Sequence, residues 1–345
     1  MQRGCACVLA VAGANPVRVA SGVTAALLTA LVLSSAAYAQ TSSTGAGPAY
    51  PVKTVRIIVP VAPGGGTDPQ ARLLGRKFQD SMGQSFVIEN RTGAGSMIGT
   101  EFVARAPPDG YTLLAAASGL AGAYTLRRDL TFDLLKDLAP VGQISSAAQF
   151  LVVHSSVPAN SVKEFIALAR KQGGKMNAAS GGNGSANHLT LEMLKQRAGI
   201  QATHIPYKGS GPATVALISG EVDFSFAGAL TSMPHLRSGK IKALAVTTPK
   251  PSPLVPHAPP LMTLYPGFES TNWYGVFAPA GTPVAIVNKI STEIAKAIQL
   301  ADVREFMARE GADAVGSTPQ EFAAFFKNEV DRYAAVIRSA NIRAD

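Results

Sequence analysis

Val55-Arg56-Ile57-Ile58-Val59-Pro60-Val61-Ala62-Pro63-Gly64-Gly65-Gly66-Thr67-Asp68-Pro69 runs from an apolar segment through a glycine loop into a helix start. The pattern predicts a strand, a bare-backbone turn and an anion-ready helix end. Consecutive glycines permit positive φ and let a ligand approach the peptide groups. Asp68 is the expected N-cap and Pro69 the first helical residue, with the helix continuing through Ala71, Leu73, Leu74 and Phe78. The first turn of such a helix leaves amides unpaired, and with the helix dipole they favour a negative group. As a cap, Asp68 turns its own charge onto one or two amides and leaves the other donors for a ligand or a bridging water. A generic strand-to-helix turn accounts for this stretch, taken alone, equally well.

Length and composition bound the reading. A chain of 345 residues can bury a large core and, at roughly 150 residues per domain, is expected to form two domains. Charged residues make up only 15% and hydrophobic ones 47%, which excludes global disorder. In the first 40 residues Arg3 and Arg18 are the only charges, an apolar run spans Val19 to Leu33, and Ala37-Tyr38-Ala39 precedes Gln40. That is the arrangement of an export leader, residues 1–39, cleaved after Ala39. The run falls short of the roughly 20 residues that span a bilayer. Cys5 and Cys7 both lie inside the leader, so the mature chain is expected to hold no disulfide and to rely on its core; neither follows the apolar run as a lipid-attachment cysteine would. A soluble periplasmic protein is expected. Loss of the two leader arginines lowers the formal net charge from +9 to +7. That surplus attracts anionic solutes at a distance, but the basic residues are scattered and no aromatic-basic stripe accompanies them, which argues against nucleic acid.

Along the chain, residues 40–49 read as a small-residue linker. A second strand, Ser85 to Asn90, enters Arg91-Thr92-Gly93-Ala94-Gly95-Ser96-Met97-Ile98-Gly99, a glycine loop opening a helix to about Ala106; Tyr111 to Ala116 is a third strand. This β-α-β-α-β order predicts a parallel sheet with helices on both faces. A second unit is expected after Ala139-Pro140, with strand Phe150 to His154, helix Ser161 to Lys171, strand Met176 to Ser180, loop Gly181-Gly182-Asn183-Gly184-Ser185 and helix Ala186 to Arg197. Strands Gln201 to Pro206, Val222 to Phe226 and Ile241 to Val246 continue it. Residues 271–277 lead back to the first unit and a helical end, where Thr318 and Glu321 form a capping-box pattern. The expected division is lobe 1 over residues 50–145 and 271–345, and lobe 2 over 146–270. Glycine loops at strand C-termini then face a shared cleft, the edge where open α/β sheets bind ligands.

The chemistry favours holding over transforming. An acid, Asp68, stands where a phosphate-binding loop needs Gly-Lys-Ser/Thr, and Gly93-x-Gly95-x-x-x-Gly99 misses the dinucleotide spacing. There is no Gly-x-Ser-x-Gly elbow and no His-Glu-x-x-His, so neither a serine nucleophile nor a metal site is expected, and no cofactor. His188 falls in the first turn of a helix, where the dipole favours the neutral form; it reads equally as a hydrogen-bond donor to a ligand or as a packing residue.

Val59-Pro60, Pro63 to Asp68, Glu89 to Gly95, Pro108-Asp109-Gly110-Tyr111-Thr112-Leu113-Leu114, Ser180 to Ser185, His204 to Gly209 and Ala278-Pro279-Ala280-Gly281-Thr282-Pro283 together resemble the Bug family, the extracytoplasmic solute-binding receptors of tripartite tricarboxylate transporters. The resemblance covers the chain from about Tyr50 to its end. It implies a type II periplasmic-binding-protein fold, two α/β lobes joined by a two-segment hinge that close on a carboxylated solute, and the membrane subunits of such a transporter as partners of a monomer. By position it implies that Gly65, Gly66, Thr67 and Asp68, with Ser118 on the rim, serve one lobe, and that Ser180, Gly182, Asn183, Gly184, Ser185, His188 and Tyr207 serve the other.

Three departures from the family pattern bear on specificity. Val61-Ala62 stand where the family often has an aromatic residue, and Ala227-Gly228 where an Asp-Asn type pair commonly follows the strand. Leu120 to Thr125 replace a small-residue run leading to Asn-Pro. The missing Asp argues against an amino-acid ligand, and the three together favour a larger or more apolar one, an aromatic or dicarboxylic acid. A sensor docking a histidine kinase, or a secreted enzyme using Asp68 or His188 as base, are the rival readings.

Overall fold

The computed structural model describes residues 50–64, 66–127 and 129–343; the leader, the linker, both cysteines and Gly65 lie outside them. The apolar run forms β1 (Val55–Val59), buried except at Arg56 because it lies between two other strands. It pairs in parallel with β2 (Phe86–Asn90) and β3 (Thr112–Ala117), setting Val59 beside Asn90 and Ile57 beside Leu113. Helix α1 (Thr67–Met82) lays Ala71, Leu74 and Phe78 on this sheet, with Phe78 edge-on to Phe86 at 5.2 Å. It ends at Gly83, whose φ of 70° is the left-handed turn that a glycine C-cap supplies. Helices α2 (Met97–Ala104) and α3 (Gly119–Leu126) complete the first part.

The next strand departs from expectation. Ala139-Pro140 does not separate two units; it lies inside β4, a 17-residue strand from Leu138 to His154. The first part of β4 pairs antiparallel with β9 (Thr271–Pro279) and β10 (Ala312–Ala314). The second part pairs antiparallel with β7 (Phe224–Gly228) and β8 (Ile241–Val246). Proline is tolerated because the β4–β9 register shifts just after it, between Pro140 and Gly142. Beyond β7 lie β5 (Asn177–Ser180) and β6 (Thr203–Pro206), parallel to one another, giving the order β2-β1-β3-β9-β4-β7-β5-β6. The expected parallel sheet is therefore mixed, since β9 and β4 run against their neighbours. Helices α4 (Val162–Gln172), α5 (Ala186–Ala198), α6 (Ser210–Ser219) and α7 (Ala229–Arg237) flank the second half. The C-terminal α8 (Val284–Ala297), α9 (Ala301–Arg309) and α10 (Pro319–Ser339) return to the first. The capping box at Thr318 and Glu321 is formed as read.

Strand alternation divides the core into a cluster on each face of each half. In the first half Ile57, Val141 and Val276 face one side, and Ile58, Trp273 and Phe277 face the other, under Phe322 and Phe326 of α10. Trp273 is fully buried; its indole N–H donates to Glu329 at 3.1 Å, and Arg332 neutralises that carboxylate at 2.7 Å. Helix α10 also spans the two halves, packing in one cluster with Leu189 of α5 and accepting from Gln196 on Ser339 at 2.7 Å. Where β4 passes from one half to the other, Gln149 forms a buried polar knot, donating from its side chain to Thr190 and from its backbone to Thr247.

Gly275 is glycine for want of space: a Cβ there would stand 2.2 Å from the Phe322 ring. Gly275→Ala should lower the unfolding free energy by roughly 1–3 kcal/mol, the usual cost of overpacking. Urea unfolding checks this, and an unchanged midpoint would mean that the aromatic cluster repacks at no cost.

Candidate functional site

The first glycine loop leaves β1 and is held from behind by side chains. Asn90, at the end of β2, donates through Nδ2 to Val61 O and to Asp68 Oδ1, both at 2.9 Å. Asp68 Oδ2 accepts the Gly64 amide at 3.0 Å and Arg72 Nε at 3.0 Å, and Arg72 also donates to Asn90 Oδ1. Asp68 is therefore not the N-cap. The helix begins two residues earlier than expected, with Gly66 at the cap position and no side-chain cap, and Asp68 reaches back across the turn to tie the loop down. Burial by itself would raise its pKa, but Arg72, the Gly64 amide and Asn90 outweigh that and hold the carboxyl below its usual range.

The glycines differ in purpose. Gly64 takes a φ of +78°, whereas Gly66 is right-handed helical, and its lack of a side chain makes room for Tyr274 Oη, 2.8 Å from where a Cβ would sit. Thr67 is buried, Val61 half-buried against the core and Ala62 exposed. With Asp68 turned to Gly64 and no N–H on Pro69, the first-turn amides up to Asp68 lack partners within the helix.

The second loop follows β5 and is self-bonded in the same way. Ser180 Oγ is fully buried, accepts the Gly182 amide at 3.1 Å and lies 2.6 Å from His204 Nε2. Ser185 Oγ lies within hydrogen-bond distance of Gly182 O and Asn187 Oδ1, and Asn187 also accepts the Gly181 amide. Gly182 and Gly184 adopt φ of +121° and +72°. His188 is buried, stacks on His204 with ring centres 3.7 Å apart, and accepts the Gly184 amide on Nδ1 at 3.1 Å. Burial, then His204 and Lys195, pull its pKa down to about 3, so it is neutral for a reason other than the helix dipole. Asn183, His188 and His204 border an open cavity of about 390 Å³ together with Glu192, Lys195 and residues 340–343.

Close glycine contacts place the halves against each other. A Cβ on Gly122 of α3 would stand 2.3 Å from Gly184 O, and one on Gly184 2.3 Å from Leu126. Ser118, expected on the rim, is instead fully buried: its amide donates to Trp273 O and its Oγ to Asn272 Oδ1 at 2.5 Å. Tyr207 donates its hydroxyl to Glu221 at 2.7 Å, and burial and that carboxylate push its pKa up to about 12. Its backbone, not its hydroxyl, meets the loop, donating from N–H to Ser180 O. Ala227 is packed in the core opposite Phe150, while a Cβ on Gly228 would meet open space. Of that pair only Gly228 leaves room. Sequence reasoning did not identify Asn272, Tyr274 or Asn187, nor Arg72, whose i,i+4 spacing from Asp68 is a local signal; Asn90 and His204 stood in quoted motifs without a role.

Neither proposed base is suited to proton abstraction. Asp68 is buried in an ion pair, and the His188 Nδ1 lone pair is occupied by an amide. A sequence profile described as Tripartite tricarboxylate transporter family receptor, TctC, matches residues 70–342. BugT of Bordetella pertussis is 37% identical over 297 residues, 85% of this chain and 91% of BugT. The chain belongs to this receptor family. Two solved structures resemble it over their whole length. One is an R. palustris protein with adipate, at TM-score 0.77 and 34% identity over 85% of this chain and 99% of that one. The other is MatC from Rhodopseudomonas palustris with bound malate, at TM-score 0.74 and 33% identity over 84% and 100%. Members of the family are periplasmic solute-binding proteins, and this receptor has their two-lobe α/β fold, with β4 running from one half into the other.

The Asp68 ion pair has a pH signature. The folded-state pKa lies below the unfolded value of about 3.9, so the stabilisation is complete at neutral pH and is lost as the pH falls below about 4. Asp68→Asn should be roughly 1–3 kcal/mol less stable at pH 7, and the gap should narrow on acidification. Urea unfolding of both ligand-free proteins between pH 7 and 3 checks this; a gap that stays constant would show that the carboxylate charge contributes nothing.

Proposed function

We propose that this receptor captures a small organic carboxylate in the periplasm and delivers it to the membrane subunits of a tripartite tricarboxylate transporter, without transforming it. The observation that carries the reading is the use of side chains at the two glycine loops. Asp68 and Asn90 brace one loop, and Ser180, Ser185, Asn187 and His188 brace the other, each bonded inward. Main-chain donors of Gly66, Thr67 and Asp68 on one loop and of Gly182, Asn183, Gly184 and Ser185 on the other then hold the carboxylate, as helix N-termini hold anions. The adipate and malate bound in two relatives support a dicarboxylic solute. The small Ala62 and the open space at Gly228 favour the longer or more apolar acid. Lobe 1 comprises residues 50–145 and 271–345, lobe 2 residues 146–270, and the exported monomer begins at Gln40.

Differential scanning fluorimetry with adipate, malate and benzoate tests the reading. An acid at 100 times its Kd adds about 2.7 kcal/mol to stability, and the melting temperature rises accordingly. Proton NMR of the same mixture should show the acid unchanged after hours. No shift with any carboxylate, or steady product formation, would overturn the proposal.

A further inference from the structure

Beneath the first glycine loop lies a polarised side-chain relay with one proton left over. It begins at Ser118, whose hydroxyl donates to Asn272 Oδ1 at 2.5 Å. With its oxygen occupied, Asn272 presents Nδ2 to Tyr274 and donates to the phenol oxygen at 2.7 Å. The phenol is thereby an acceptor within the relay, and its own hydrogen has no acceptor among the described residues. Tyr274 is only 7% exposed, so that donor is not left to bulk water. Its oxygen lies directly under Gly66, in the space where any other residue would carry a Cβ.

We propose that Tyr274 Oη is a side-chain donor to the bound carboxylate, reached through the gap at Gly66, and that Asn272 and Ser118 are positioning residues that orient it. The proposal rests on the carboxylate reading above and adds a specificity element. The phenol proton donates to a carboxylate or carbonyl oxygen and cannot pair with an ammonium group, which is itself a donor. It also explains why Gly66 is glycine although its backbone is ordinary helix: a methyl group would both strain against Tyr274 and cover the hydroxyl. Burial pushes the phenol pKa well above the usual tyrosine range, which keeps the proton in place across the physiological range.

Isothermal titration of wild type, Tyr274→Phe, Asn272→Ala and the double variant with adipate and malate tests this. Loss of a hydrogen bond to a charged group should weaken Tyr274→Phe by about tenfold or more. Asn272→Ala should weaken the wild type, yet add little in the Tyr274→Phe background, because it acts through the phenol. A tyrosine absorbance difference should appear when ligand is added to wild type and be lost in Tyr274→Phe, a readout that a purely structural role would not move. Tyr274→Phe binding within about twofold of wild type at an unchanged melting temperature would overturn the relay while leaving the carboxylate reading intact. Failure of wild type to bind any acid would overturn that reading instead. Should Tyr274→Phe fold poorly, Asn272→Ala decides: affinity and difference spectrum equal to wild type would refute the assignment.

Discussion

A single strand serves two sheets in this protein, and the remaining architecture follows from that constraint. Backbone amides and carbonyls buried along β4 need partners over all 17 residues, and no one neighbour runs beside it for its whole length. The first stretch draws on β9 and β10, the second on β7 and β8. The changeover comes at Ala148 and Gln149, where β9 stops and β7 begins. There the Gln149 amide, its carbonyl and its side chain are taken up by Thr247 and Thr190. A buried polar knot with matched donors and acceptors fixes where one half ends more sharply than apolar packing does, since a one-residue slip would leave several groups unpaired.

The same economy of hydrogen bonds governs the two glycine loops. A binding loop made of bare backbone is floppy unless something holds it, and a side chain that contacts the ligand is unavailable to hold it. Here the polar side chains face inward. Asp68, Asn90 and Arg72 form a closed triangle, while Ser180, Asn187 and His188 take up the amides of Gly182, Gly181 and Gly184. That leaves the remaining amides of both loops for the carboxylate grip proposed above. One common grip for many acids then needs few changes elsewhere to alter which acid fits, consistent with the departures from the family pattern at Ala62 and Gly228.

Much of the first half was legible in the chain. An apolar run flanked by glycine and followed by the spacing of Ala71, Leu74 and Phe78 admits little besides strand, turn and helix. The reading failed where competing partners override a local preference. Asp68 is a good cap by type, yet Arg72 one helical turn on and Asn90 across the sheet compete for the same carboxylate and win. Ser118 has the composition of a rim residue, but the pairing of β3 with β9 sets it against Asn272, 154 positions away. The first part of β4, broken by proline and glycine, has no strand periodicity of its own; β9 and β10 impose it.

By itself the sequence determined the alternation of strands and helices, the two glycine loops at strand ends, the capping box at Thr318 and the family. These rest on local dihedral preferences and short-range periodicity, which neighbouring residues carry between them. Only the tertiary structure decided that β4 joins the sheets, that Asp68 braces instead of capping, and that Tyr274 lies beneath Gly66. The Asp68 brace depends on β2 lying beside β1, which brings Asn90 to the loop; the other two depend on β9 pairing with β3 and β4, segments more than a hundred residues apart, which is settled by burial of the whole core and not by any stretch of the chain.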